Sequence, residues 1–334
     1  MQPWLIPLLI CPKSGQSLSL LDPVVESDGE IISGALVTAS GNRYPVVGGI
    51  PRFVEHHYAK AFGLQWNTHA VTQLDNQSHR HSQERFWSET GFTPERIKGR
   101  LGIDGGCGAG RFSKVAVEAG ARIVAVDLSE AVEACYTNNR GHDVCVVQAS
   151  LYELPFAPET FDFAFTIGVI QHTPDPLGAL RAVGRMVKEG GEIGVWWYKK
   201  YWYTYLHQKY WLRPLFRLMD EKTMYRFIQW YVPKLLPVSR VLARVLPYRE
   251  KAVVDRILPV ANRDYVEGLT EAEKLEWAIL DTFDWFQPHY DKPQSWAAVE
   301  GVLQGLGFSC ERSPNRREGL HCVRRQAAEA IKAN

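Results

Sequence analysis

The sequence predicts an α/β protein built on a doubly wound, mostly parallel sheet with helices on both faces. Three observations carry this. From Leu101 onward, short apolar runs alternate with helical stretches, and strands interleaved with helices imply βαβ units. A glycine-dense loop, "LGIDGGCGAGRFS" at 101–113, opens on the first of these runs. It stands where such sheets bind ligands, beyond the carboxyl ends of the strands. The chain has 334 residues, 46% hydrophobic and 22% charged, enough to bury this core and carry additions.

The elements follow in order. Residues 1–54 alternate short apolar runs with the turn signals "SDGE", "ASGN" and "VGGIP", a small β-rich unit. Residues 55–98 are more polar and form a helical and loop connector. Within it, "TQLDNQSHRHSQ" (72–83) has no apolar periodicity and is expected to be a mobile loop. Residues 99–334 make the main domain. Its strands are "LGIDG", "RIVAVD", "DVCVVQA", "FDFAFTIG" and "GGEIGVWWY", with helices such as "GRFSKVAVEAG" and "PLGALRAVGRMVKEG" between them. The core resumes at "WAAVEGVLQGLGFSCERSP" and "LHCVRR". Between lies a long insertion, 199–292, rich in Tyr, Trp, Arg and Lys.

The formal charge is +1, so bulk electrostatics argue against a nucleic-acid partner. No apolar run reaches the roughly 18 residues that span a bilayer. The start, "MQPWLIPLLICP", lacks a basic leader and a small-residue cleavage site. The six cysteines, Cys11, Cys107, Cys135, Cys145, Cys310 and Cys322, form no CxxC pair. Reduced thiols and a cytoplasmic location are expected. Cys310 and Cys322 can face each other across a hairpin, but free thiols are the preferred reading.

The glycine loop decides between nucleotides. A dinucleotide fingerprint needs G-x-G-x-x-G. Gly106 and Gly108 fit its first two positions, but the third falls on Arg111. No Gly-Lys-Ser/Thr follows, so the P-loop fails too. What remains is D-x-G-x-G-x-G, from Asp104, Gly106, Gly108 and Gly110. An acid here repels pyrophosphate and suits a ligand with a cationic amine and a sulfonium. Cys107 is a small turn residue rather than a nucleophile.

"DGGCGAGRFS" resembles motif I of class I S-adenosylmethionine-dependent methyltransferases, and later landmarks match in order over about 85–200. "AVDLS" ends the second strand at Asp127, where the family's acid takes both ribose hydroxyls. "VVQASLYELPF" resembles the adenine segment, with Ser150 where the family often has Asp; its hydroxyl, or the backbone around Leu151, can accept the amine. "FDFAFTIGVIQHTPDPLGALRAVGRMVKEGGEIGVWWY" resembles the fourth strand, its helix and the turn into the fifth. The resemblance implies a Rossmann-like seven-stranded methyltransferase sheet and S-adenosyl-L-methionine as cofactor. The cofactor residues it implies are Asp104, Gly105, Gly106, Cys107, Gly108, Gly110, Asp127, Leu128, Ser129, Ser150, Leu151 and Gly168. The 55–98 connector is expected to contribute to this site.

The N-terminal unit resembles the zinc ribbon fused to some methyltransferases, related to the small activator of tRNA and rRNA methyltransferases. A working ribbon needs two CxxC pairs around zinc. Only Cys11 remains; Ser14, Val37 and Ser40 stand at the other positions. One thiolate does not hold structural zinc, so no metal is expected. Dimerisation, shielding of the site, or a passive cap are the roles open to the unit. His56, His57, His79 and His81 are expected to be solvated loop histidines.

Methyl transfer from a sulfonium needs proximity, alignment and a dry site; a base helps when the acceptor is a hydroxyl or thiol. "GVIQHTPDP" offers His172 as base and Gln171 as positioning group. "DTFDWFQPHYDKPQSW" (281–296) offers Asp284, His289 and Tyr290. The 199–292 insertion suits a substrate lid, ahead of a membrane-surface element, an RNA patch or plain helix packing. The expected acceptor is a small molecule, methylated at O, N or S. An RNA methyltransferase and a non-catalytic cofactor binder are the alternatives. The Asn/Asp-Pro-Pro-aromatic motif of base methylation is replaced by "IGVIQH".

Overall fold

The computed structural model describes residues 1–27, 29–54, 60–245, 254, 257–312 and 319–326. Four short strands open the chain after a 3-10 turn at Pro3–Leu8: β1 (Ser19–Val25), β2 (Ile31–Val37), β3 (Arg43–Val47) and β4 (Ile50–Pro51). They form one antiparallel meander in sequence order. Three helices follow, α1 (Lys60–Thr68), α2 (His81–Thr90) and α3 (Pro94–Ile97).

The main sheet begins with β5 (Leu101–Gly105), α4 (Arg111–Glu118), β6 (Arg122–Asp127), α5 (Val132–Asn139) and β7 (Val144–Gln148). It continues with β8 (Phe161–Ile167), α6 (Pro176–Arg185) and β9 (Val187–Trp196). The insertion supplies α7 (Gln208–Phe216), α8 (Glu221–Val245) and α9 (Glu271–Phe286). The chain then returns through α10 (Trp296–Gln304), β10 (Phe308–Arg312) and β11 (Leu320–Arg324). The seven strands order as β10-β11-β9-β8-β5-β6-β7. β5 to β9 run parallel, and β11 inserts antiparallel between β9 and β10. This is a Rossmann-like seven-stranded sheet. Strand order reverses at β5, so the glycine loop leaves the sheet at its topological switch point.

Alternation along each strand divides two cores. In β6, Val124 and Val126 face a layer that includes Leu180, Val183 and Leu303, from α6 and α10. Ile123 and Ala125 face Phe86, Phe112, Val132 and Cys135, from α2, α4 and α5. Helix starts follow local chemistry. The Asp175 carboxylate accepts the Gly178 N–H at 3.0 Å ahead of Pro176, the first residue of α6, and Thr270 and Glu273 cap α9 reciprocally.

The N-terminal unit shares the first of these cores. Leu5, Leu9, Cys11, Leu36 and Val46 are buried in one cluster with Val124, Cys145, Val147 and Phe156. Arg52 bridges Gln148 in the parallel sense, and the Phe53 N–H donates to the Gln148 carbonyl at 2.8 Å. The unit thereby covers the β7 edge, which would otherwise offer unpaired backbone groups.

Two expectations are corrected here. Cys310 and Cys322 stand directly opposite in the β10–β11 ladder and are joined as a disulfide. The antiparallel register brings the two thiols together, and sequence spacing does not fix that register. The other four cysteines are free and buried. The 72–83 segment is tied down by hydrogen bonds rather than loose. The Asp75 carboxylate accepts the N–H groups of Ser82 and Gln83, at 2.7 and 2.8 Å, placing a negative charge at the start of α2.

Candidate active site

One cavity of about 750 Å³ opens at the carboxyl end of the parallel strands. Its floor is the loop between β5 and α4. Gly106 and Gly108 have φ of +89° and +52°, a region that L side chains rarely adopt. A Cβ on Gly106 would lie 2.3 Å from the Val169 side chain, and one on Gly108 3.2 Å from the Trp66 indole nitrogen. The Gly106 and Cys107 N–H groups donate to the Val126 carbonyl at 2.8 and 3.0 Å, which ties the loop to the neighbouring strand.

Asp127 ends β6 and lines the cavity. Its Oδ2 accepts the Gly108 N–H at 3.0 Å; its Oδ1 accepts the Ser129 N–H at 2.8 Å and the Ser129 hydroxyl at 2.7 Å. Three donors fix the carboxylate in place. Leu128, Leu151 and Tyr152 continue this wall, and the Tyr152 phenol exchanges hydrogen bonds with the Asp175 backbone at 2.8 and 2.9 Å.

Gly168, Val169 and His172 form the next wall, after β8. His172 Nδ1 lies 3.0 Å from the Tyr290 carbonyl. A carbonyl only accepts, so Nδ1 carries a proton, and in the neutral form of the ring the lone pair stands on Nε2. The ring is 7% exposed and sits between Phe62 and Tyr198 at 5.4 Å from each. Tyr198 donates to Asp284 Oδ2 at 3.2 Å. Burial holds the Asp284 carboxyl above its ordinary range, with Asp281 adding to that and the His172 and Lys209 charges opposing it.

The far wall comes from α2, α4 and the insertion. Arg85 pairs with Glu89 through two hydrogen bonds of 2.9 and 3.1 Å, and Arg263 pairs with Asp281. Arg111, the first residue of α4, lies over the Phe112 ring at 4.4 Å. Its Nη1 is buried without a hydrogen-bond partner. Burial, with the Arg85 charge beside it, brings its guanidinium down to about 9. A buried guanidinium nitrogen without a partner favours an anion at that point in the cavity.

Residues 103–195 match the family described as methyltransferase domain. This segment is a class I methyltransferase domain. The chain is 34% identical over 101 residues to a ubiquinone biosynthesis O-methyltransferase of Pseudomonas entomophila (strain L48), a span covering 29% of this chain and 44% of that one. A protein of the same name from Stutzerimonas stutzeri (strain A1501) is 31% identical over an equal span. The chain thus spans less than half the length of the curated relatives it matches. A solved S-adenosylmethionine dependent methyltransferase from Mesorhizobium loti aligns at 15% identity and TM-score 0.39, covering 69% of this chain and 93% of that one.

The methyltransferase domain brings Gly106, Cys107, Gly108, Asp127, Leu128, Leu151 and Gly168 to the cavity, with His172 and Asp284. Other sequence-derived candidates stand elsewhere. Asp104 is 2% exposed behind the loop, its Oδ2 accepting the Ser113 hydroxyl at 2.6 Å. Burial raises it to about 7, against that hydrogen bond. It braces the loop against α4 and is not among the lining residues. Gly105 lies within β5, and Gly110 packs against Asn139 and Cys135. Ser129 supports Asp127 from below. The Ser150 hydroxyl accepts the Tyr152 N–H at 3.2 Å, which shapes the turn. Burial pushes the Cys107 thiol well up, so it stays protonated.

His289 and Tyr290 require correction. The backbone turns after α9, so their side chains do not line the cavity; they pack edge to face at 4.6 Å. What reaches the site from this loop is the Tyr290 carbonyl on His172. Gln171 is fully buried, and its carbonyl accepts the Lys292 N–H at 2.8 Å. His79 and His81 are not loose loop histidines: His79 is buried, and His81 is half-buried and lines the cavity. His79 is 5% exposed, and both rings pack on Trp277, at 6.0 and 5.3 Å. His56 and His57 lie outside the described residues. The lone Cys11 thiol lies 3.2 Å from the Tyr44 hydroxyl. Burial opposes its ionisation, but hydrogen bonds from Ser14 and Tyr44 outweigh that and bring it to about 7. Among the described residues no group of three or more His, Cys, Asp or Glu is placed to hold a metal.

Sequence reasoning missed Arg111, Arg85, Trp66, Tyr198 and Asp281, all lining the cavity. Arg111 had a signal, since it follows the last glycine directly. Trp66 and Arg85 had none beyond a polar connector.

Proposed function

We propose that this chain is an S-adenosylmethionine-dependent methyltransferase that methylates a small-molecule acceptor by in-line displacement. The observation that carries it is the shared cavity: a triply hydrogen-bonded Asp127 on one wall and His172, with its Nε2 lone pair, on another. When bound, S-adenosylmethionine supplies an electrophilic methyl group on a sulfonium. The residues fit it. Asp127 has lone pairs left for two ribose hydroxyls, Leu128 and Leu151 give an apolar seat for adenine, and Gly106 and Gly108 leave backbone-deep space. The bare Nη1 of Arg111 suits the carboxylate of the amino-acid tail.

His172 Nε2 is the group we assign to take a proton from the acceptor. A base of this kind serves a hydroxyl better than an amine. The relatives are named as O-methyltransferases, which favours oxygen as the acceptor atom. Tyr198, with Asp284 behind it, positions the acceptor, and Trp196 and Tyr201 offer aromatic rings to it. Part of the insertion, from Tyr201 to Tyr210, lines the same cavity, which supports its role as a lid that excludes water. The N-terminal unit is proposed as a cap on the β7 edge.

Calorimetry with S-adenosylmethionine and its demethylated product tests the cofactor assignment; absence of heat with both would sink it. Transfer of a labelled methyl group to a panel of phenols, amines and thiols tests the acceptor class. Label found only in amines would remove oxygen and the role of His172.

A further inference from the structure

The insertion carries a surface that the methyl-transfer reading does not use. Residues 199–245 hold ten Lys or Arg against Asp220 and Glu221 alone; Lys199, Lys209 and Arg213 are buried and Arg240 pairs with Asp264 and Glu271, which leaves Lys200, Arg217, Lys222, Arg226, Lys234 and Arg244 exposed. The same stretch exposes large apolar side chains. Trp202 is 89% exposed, Leu218 82%, Trp211 69% and Trp230 60%. On α8 the exposed apolar residues Phe227, Trp230, Val238, Val241 and Val245 recur at helical spacing. Its other face is already committed, with Met224, Ile228, Val232 and Leu236 buried against α9. The exposed stripe is therefore a second apolar face, beyond what the fold needs. Exposed Lys222, Arg226, Lys234 and Arg244 flank it, and the Lys234 ammonium lies 3.5 Å from the Trp230 ring centre.

We propose that this face docks on an anionic phospholipid bilayer surface. A helix with an apolar stripe, tryptophan at its edge and a basic flank lies in the interface plane of a bilayer. Each basic residue near an anionic surface adds attraction. Aliphatic Leu215, Leu218, Val238, Val241 and Val245 gain by entering hydrocarbon, whereas RNA offers them nothing to bury against. The placement also links surface and site. In one short segment Tyr201, Tyr203, His207 and Tyr210 line the cavity while Trp202, Tyr205, Leu206 and Trp211 are exposed. Docking through the exposed residues of this segment brings the cavity they border to the membrane surface. The inference stands on the surface alone and does not need methyl transfer to be correct.

Co-sedimentation of the full chain with vesicles tests it. Phosphatidylcholine vesicles with about 30% phosphatidylglycerol should pellet the protein, pure phosphatidylcholine should not, and added salt should release it. The double variant W230E/V241E should cut the vesicle-bound fraction about tenfold, and K222E/R226E several-fold. All four side chains are exposed, so circular dichroism should match the parent. The proposal fails if the parent ignores both vesicle types, or if folded W230E/V241E binds as the parent does. It also fails if the parent is a dimer that W230E/V241E makes monomeric without vesicle binding, since a second copy then covers the face. Binding to single-stranded RNA in place of vesicles would overturn it too. Cofactor calorimetry on the same samples keeps this outcome separate from that of the methyltransferase reading.

Discussion

Asp127 Oδ2 accepts the Gly108 N–H at 3.0 Å, so the acid at the end of β6 and the turn of the glycine loop are set by one bond. Asp127→Ala removes the ribose acceptor and frees the Gly108 amide. Hydrogen bonds to a charged group are worth about 1.5–3 kcal/mol. Affinity for S-adenosylmethionine should therefore fall at least about tenfold by calorimetry. Unchanged affinity would move the cofactor elsewhere.

Arg111 Nη1 is buried and unpartnered. If it meets the amino-acid tail, Arg111→Gln should weaken the demethylated cofactor about tenfold. 5′-Methylthioadenosine, which lacks that tail, should bind parent and variant alike. Equal losses for both ligands would mean the variant disturbs the loop and not a carboxylate contact.

His172→Gln should lower turnover about 100-fold while leaving cofactor affinity within about twofold. The glutamine amide can still donate to the Tyr290 carbonyl, so the loop should hold. A loss confined to KM would make His172 a binding residue and leave the base unassigned.

Glu192 ties β9 to β11 and to the start of β5, accepting from His321 and Arg100 at 2.8 Å each. Burial alone would raise its carboxyl, but the His321 and Arg100 hydrogen bonds outweigh it and hold it at about 2. A carboxyl depressed on folding stabilises above its unfolded value of 4.5 and loses that contribution as pH falls toward 2. At neutral pH Glu192→Gln should cost about 2 kcal/mol, allowing for partial solvent screening. In denaturant titrations the gap between parent and variant should close between pH 4.5 and 2. A gap independent of pH would assign the loss to packing.

The Cys310–Cys322 bond gives a countable outcome. Denatured protein, unreduced, should react with a thiol reagent at the four cysteines that stand free, and at all six after reduction. Six without reductant would restore the free-thiol reading of the sequence.

The layout of the sheet was legible because its signals are local. A run such as "RIVAVD" buries alternate residues on two faces whatever surrounds it, and glycines at 106 and 108 are required by the turn itself. The wall of the cavity at the strand ends was legible for the same reason, since Asp127 and Gly168 line it from strand ends that the sequence marks. The wall built by the insertion was not. His289 and Tyr290 had plausible chemistry, but neither side chain is among those lining the cavity, and what this loop brings to His172 is the Tyr290 carbonyl.

By itself, then, the sequence determined the order of the βαβ units, the glycine loop and the acid that follows it, because each is written in residues a few positions apart. Only the tertiary structure decided what joins them. Arg111 and Asp281 line one cavity across 170 positions of sequence, Cys310 finds Cys322 through a strand register, and α8 keeps an apolar stripe exposed after burying its other face. These depend on how packed elements turn toward one another in space, which no local pattern of side chains encodes.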